Sequence, residues 1–451
     1  MRARWITVRD SFWLLPGLLC LLAAVLAEAL IALDQQVDEL DLGPFAVLAT
    51  RIGESGSRDV LGAIAGSVLG VAATSFSITI AVLATASSTY GPRLVRNFMT
   101  DRGNQFVLGV YAATFVYCLL TLRSIREPGG ADEVFVPHLA VNVAVLLAVL
   151  SIGVLIWFIN HIADSVQVGT LSRRVRAELV DTVDRLYPEQ LGRAPSEVPR
   201  GAGAHDVPSG LRSEGVEVRA DTIGYVQGVA EDRLLDLATR HDVVISLRVR
   251  PGSHVVEGDV VALVWPPDRV DDRLGPAVRS GLTVGRARTP DQDVDYAVLV
   301  LEEMAVRALS PSTNDPYTAV NALDDLAAGL THMVGRDVPS PYRYGPDDRL
   351  RVIAPRTGPV ELVDRVFDAI RWHGTGHPPV LHRMCGLAEQ LAGAARDPEL
   401  RDRLVAHLER LQEAFERTAP QRCDAAELRR RAAQSVAAVR ASADPTGARP
   451  S

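Results

Sequence analysis

Arg286, Arg288, Asp291 and Asp293 fall within eight residues, and Asn314 and Asp315 follow a helical run from Val294 to Leu309. Guanidiniums beside carboxylates and an amide can hold an anion or a cation. If the intervening helix folds back so that its two ends converge, these residues form a small pocket for a small-molecule or ion ligand. The same residue types also start and stop helices. Ser310 to Ala319 sets two prolines around short polar residues, and Asp315 or Thr318 suits the cap of a helix running through Leu330. His373, His377, His382 and Cys385 invite a zinc reading, but Gly374, Gly376 and two prolines make the first two histidines a loop pair, and no metal site is expected. The chain has no lysine, which excludes a P-loop lysine, a Schiff-base lysine and a lysine-borne carrier group. No nucleophile stands beside a base and no phosphate loop is present, so an enzyme is the least expected class. No catalytic residue is assigned and no cofactor is expected. The four cysteines are dispersed without a C-x-x-C pair and read as idle thiols.

A second polar series lies in an apolar setting. From Asp59 to Tyr90 the chain has no internal charge, long enough to cross a bilayer. Along it Gly62, Gly66 and Gly70 form a doubled G-x-x-x-G, continued at helical spacing by Thr74, Ser77, Ala81, Thr85 and Ser88. A face without bulk either packs closely against another helix or lines a polar pore. Phe12 to Leu33, Phe106 to Leu122 and Phe135 to Ala163 supply three more spans. A cleavable leader would account for the first alone, and the later three keep the chain in the membrane. Arg2, Arg4 and Arg9 precede the first span, Arg93, Arg96 and Arg102 follow the second, and Arg173, Arg174 and Arg176 follow the fourth, which places both termini in the cytoplasm.

Ionisable groups at membrane level are costly and draw a functional reading first. Glu28 sits close enough to the outer end of its span to be solvated. His161 and Asp164 share a helical face at the end of the fourth span and read as an interfacial pair or a gating element. Between the second and third spans, Gly91-Pro92 breaks the helix, and the elbow bearing Arg93, Arg96 and Asn104 suits the headgroup layer.

The remainder reads as water-soluble: 47% hydrophobic and 23% charged residues, with a mean hydropathy of +0.11, combine a membrane part with a large globular part. A net charge of −8 without a basic stripe argues against nucleic acid as a partner. The fold class expected is four transmembrane helices followed by a cytosolic α+β region, with a small module containing a β-hairpin and a helical C-terminal part. Residues 1–163 form the membrane domain, 164–190 a helical extension, 191–214 a linker rich in Pro, Gly, Ser and Ala, 215–340 the α+β domain, 341–444 a helical region and 445–451 a disordered tail. Gly224 to Val229 reads as a strand, Glu231 to His241 as a helix and Val243 to Val249 as a strand. Pro251 to Trp265 is similar to the hairpin of lipoyl and biotinyl barrel-sandwich domains over about twenty residues, without the carrier lysine.

At Gly91-Pro92-Arg93-Leu94, Asp101-Arg102-Gly103-Asn104-Gln105, Gly224-Tyr225-Val226-Gln227, Pro251-Gly252 and Ser310 to Ala319, the chain resembles a bacterial family of predicted membrane proteins, the domain of unknown function 2254. The resemblance covers nearly the whole chain, and Phe158 to Asp164 matches the family's closing span. Ser312-Thr313 departs from the Gly and short aliphatic residue expected there. The resemblance implies location in the bacterial cytoplasmic membrane and no established reaction. From the residues, the leading expectation is a homo-oligomeric conduit for ions or small solutes, with a cytosolic gating or sensing module. The alternative is a membrane-anchored ligand sensor or scaffold.

Overall fold

In the computed structural model, which describes residues 13–37, 54–90, 101–125, 135–165, 168–187, 207–418 and 421–442, the chain divides into two compact units, Met1–Leu171 and Ser172–Ser451. The elbow with Arg93 and Arg96, most of the expected linker and the C-terminal tail lie outside the described residues.

The first unit holds α1 (Leu14–Val37), α2 (Glu54–Tyr90), α3 (Arg102–Ser124) and α4 (His138–Ser165), each long and apolar enough to cross a membrane. α3 is the central helix, with 44% of its most apolar stretch buried against 11–22% in the others. Gly109 lets α1 approach closely: a Cβ there would lie 3.1 Å from the Pro16 Cα. Buried polar groups tie α3 to α4. Tyr117 donates to the Ala140 carbonyl at 2.9 Å, and the Thr114 and Ser151 hydroxyls meet at 3.4 Å. The Asp34 carboxylate of α1 accepts from the Leu139 and Ala140 amides, both at 3.1 Å, and so covers the first turn of α4. α2 begins at Glu54, before the uncharged stretch, and the Glu54–Arg58 pair at 3.5 Å supports that added turn.

In the second unit α5 (Val168–Leu186, contributing from Ser172) precedes β1 (Val216–Arg219), β2 (Gly224–Val229), α6 (Glu231–His241), β3 (Val244–Leu247), β4 (His254–Val255) and β5 (Val260–Trp265). α7 (Leu274–Arg279), β6 (Leu282–Gly285), α8 (Val294–Ala308), α9 (Pro316–Val334), β7 (Tyr342–Tyr344) and β8 (Leu350–Ile353) follow. Four amphipathic helices complete the unit: α10 (Pro359–Gly374), α11 (Pro378–Ala394), α12 (Pro398–Thr418) and α13 (Arg422–Ala441). A five-stranded sheet has the order β1-β5-β3-β8-β7 and a three-stranded sheet the order β4-β2-β6. Val226, Ile245, Val264, Leu274 and Val352 are fully buried in the core they share.

The fold differs from the sequence expectation in two places. Pro251 to Trp265 is not a hairpin, because β4 pairs with β2 in the small sheet while β5 pairs with β3 and β1 in the large one. Gly258, at φ +92°, turns the chain between sheets, so a strand–turn–strand pattern became a corner. The region read as helical from residue 341 opens instead with the antiparallel pair β7–β8, whose second strand runs parallel to β3. These strands are three and four residues long, too short to show a period against the helices around them.

Candidate functional site

β3 and β8 are the parallel neighbours of the large sheet, so the segments that follow them, from Arg248 and from Ala354, leave at the same edge. Ligand crevices form at such carboxyl edges because diverging chains leave a gap between them. Here the gap is a cleft of about 500 Å³. Val229, Leu247, Val249 and Val294 give it apolar walls, and Tyr187, Glu231, Arg250 and Arg356 supply polar groups. The first turn of α6, capped by no side chain at Ala230, opens onto it.

Each polar group is held in place. Tyr187 follows α5 and donates its hydroxyl to the Thr357 carbonyl at 2.7 Å; burial pushes its phenol well above the ordinary range. Glu231 accepts from Arg356 at 2.8 Å and from Arg343 at 2.9 Å, so two cations share one carboxylate. Arg250 pairs with Glu361 through both its terminal nitrogens, and that hydrogen bonding raises its pKa. Gln292 accepts from the Val229 amide at 2.8 Å and fixes the cleft floor. Behind it Arg288 contacts Asp293 at 2.7 Å and Asp295 at 2.6 Å, while Arg365 joins Asp295 and, at 2.9 Å, Glu302. Burial works against the Arg288 charge, yet the hydrogen bonds to Asp293 and Asp295 outweigh it and lift the pKa above the usual range. Gly252, at φ +91°, packs onto this network, for a Cβ there would come within 2.5 Å of Asp293 Oδ2.

The residues singled out by sequence are therefore dispersed. Asp293 lines the cleft and caps α8, accepting from the Tyr296 amide at 3.1 Å. Arg288 buttresses it, whereas Arg286 and Asp291 are not among the lining residues. Asn314 and Asp315 lie beyond the opposite end of α8, a helix about 22 Å long for its 15 residues. A straight helix does not fold back. Asn314 adopts φ +47°, and Asp315 caps α9, accepting from the Thr318 amide at 3.0 Å and from the Thr318 hydroxyl at 2.6 Å.

In the first unit, Gly62, Gly66 and Gly70 have nothing within 4 Å of where a Cβ would stand, because α2 packs through Leu61, Ala65 and Val68. Thr74, Ser77 and Thr85 donate to the carbonyls four residues back, at 3.0, 2.9 and 3.0 Å. The side chain of Ser88 lies outside the described residues. Asp164 is exposed, and His161 reaches Asp101 rather than Asp164, with Nε2 at 3.0 Å from a carboxylate that also caps α3. Its ring stacks on Trp157 at 4.8 Å. Asn104 is buried, with its Oδ1 unpartnered, beside a void of about 20 Å³, room for one water.

Sequence reasoning missed Tyr187, Glu231, Arg250 and Arg356. They are spread over 170 positions, and the one local signal was Pro251-Gly252 beside Arg250.

Against known families, residues 9–390 match the model described as Predicted membrane protein (DUF2254). The chain belongs to this family. Within the family's span lie all four apolar helices and the whole cleft. An uncharacterized protein of Mycobacterium bovis and one of Mycobacterium tuberculosis strain H37Rv are each 30% identical to this DUF2254 chain over 351 residues. The match covers 76% of this chain and 65% of each relative, so the chain spans less than two thirds of their length. No solved structure matches this family member.

Proposed function

We propose that this predicted membrane protein is a membrane-anchored ligand sensor whose second unit binds a small molecule in the cleft at the carboxyl edge of β3 and β8. One observation carries the reading: a 500 Å³ recess with apolar walls and convergent, individually held polar groups. That volume and mixture are typical of small-molecule sites. The proposed role is binding rather than catalysis, in the bacterial cytoplasmic membrane, with both termini and the second unit in the cytoplasm. Native mass spectrometry of the full-length protein released from detergent tests it. A retained small molecule that Arg250→Ala and Tyr187→Phe release supports the sensor, and a chain that carries no ligand from any lysate or added metabolite pool overturns it.

The outward face of α2 favours a second reading, the homo-oligomeric conduit. Its three glycines and self-bonded hydroxyls leave a smooth surface open to lipid, to another copy or to a pore. A closed ring of four or more copies, with solute flux into liposomes that Ser77→Phe blocks without dispersing the ring, supports the conduit. A monomer or dimer without flux removes it.

A further inference from the structure

A second recess, of about 400 Å³, lies on the opposite face of the large sheet from the core. Ser246 of β3 stands beside Leu263 of β5 and Ile353 of β8, and all three line the recess. The preceding register, Ile245 with Val264 and Val352, points into the core and is fully buried. Strand pairing continues one residue past β3, where the Arg248 amide donates to the Val261 carbonyl at 2.9 Å, so Arg248 shares the face of Ser246. Arg212 enters from the turn Ser209–Leu211, which Leu211 anchors by burial, and Arg356 enters after β8.

We propose that this recess binds the phosphate or carboxylate group of a small soluble metabolite through Arg212, Arg248 and Arg356, with the Ser246 hydroxyl as a further donor. Among the described residues the charge arrangement is one-sided: three guanidiniums line the recess and no acidic residue does. Arg212 and Arg248 are exposed and form no side-chain hydrogen bond or ion pair among the described residues. Arg356 shares Glu231 with Arg343, and its Nε is buried without a partner among the described residues. Ser246 is only 6% exposed, yet its hydroxyl makes no hydrogen bond among the described residues. Ser246 Oγ is not among the buried unsatisfied atoms, so it donates to the recess rather than into the core, and an oxyanion can accept from it while matching the arginine forks. Unpaired arginines on an open face are usually solvated. Here they flank a concave site whose floor already holds an unused donor. Leu247, Pro355 and Arg356 border both recesses, but Arg212, Ser246 and Arg248 line this one and not the sensor cleft, so the inference stands if that cleft binds nothing.

The test is isothermal titration of the full-length protein, in phosphatidylcholine nanodiscs, with inorganic pyrophosphate and separately with citrate. At least one probe is expected to bind, more weakly as salt rises, and the stronger of the two assigns phosphate or carboxylate. Arg212→Ala and Arg248→Ala should each weaken it about tenfold, and the double variant should remove measurable binding. Arg248→Lys keeps the charge without the fork and should recover part of the affinity. Arg240→Ala, an exposed arginine outside the recess, should change nothing. Neither arginine has a side-chain partner among the described residues, so unfolding midpoints should match the parent's. The proposal is overturned if neither probe binds at millimolar concentration, or if binding survives in the double variant. Loss in Arg250→Ala with retention in the double variant would place the anion in the first cleft and also overturn it.

Discussion

Asp315 shows how far a single side chain was legible. An Asp-Pro pair before an apolar helical period is a start signal, and Asp315 caps α9 with Pro316 in its first turn. Asp315→Ala should cost about 0.5–2 kcal/mol, read as a lower urea midpoint. The hydrogen bond from the Thr318 hydroxyl, then that from the Thr318 amide, holds the Asp315 carboxyl below its ordinary value. A depressed folded pKa means that the contribution is complete above the unfolded value, about 3.9, and fades as pH falls through the depressed one. The midpoint gap between parent and variant should therefore hold at neutral pH and close in acid. Asp101 was less legible, because its second role depends on a residue 60 positions away: it caps α3 and meets His161. Asp101→Ala should lower the thermal midpoint in detergent more than His161→Ala, since only the first also leaves amides of the α3 first turn unpaired.

Among elements, α5 on α9 is the sharpest case. Leu179 is fully buried and lies where a Cβ on Gly329 would meet its Cδ2 at 2.2 Å. Gly329→Ala gains helix propensity but must displace a core leucine, and the net expectation is a loss of about 1–3 kcal/mol. Chemical unfolding of the purified protein checks it, and a stabilised variant would contradict the close packing. α2 predicts the reverse: Gly62→Ala, Gly66→Ala and Gly70→Ala meet nothing, so the triple variant should keep parental helical content and unfolding midpoint. The helices were legible in sequence because one long period repeats over many residues. The split of Pro251 to Trp265 between two sheets was not, since alternation marks a strand without naming its partner.

For the whole molecule, thiol accessibility tests how the chain is folded throughout. Cys385 is fully buried, and burial pushes its thiol up, while Cys423 is exposed. Maleimide applied to the native protein should label Cys423 rapidly and Cys385 only after denaturant, with mass spectrometry assigning the sites. Gly66→Phe places bulk on the outward face of α2 without a clash inside the chain. If copies assemble through that face, the variant should shift to a smaller species at unchanged stability. Unchanged assembly would leave the face to lipid.

The sequence by itself determined four apolar helices, a following mixed region and membership of a predicted membrane protein family. These depend on composition and period along the chain, which survive without knowledge of any contact. Only tertiary structure decided what the polar residues do. It turned the Arg288 and Asp293 cluster into a buttress and set Asn314 and Asp315 at the other end of a rigid helix. It also brought Tyr187, Glu231, Arg250 and Arg356 to one edge of a sheet. The parallel pairing of β3 with β8 joins segments more than a hundred residues apart, and no local pattern encodes which strands will be neighbours.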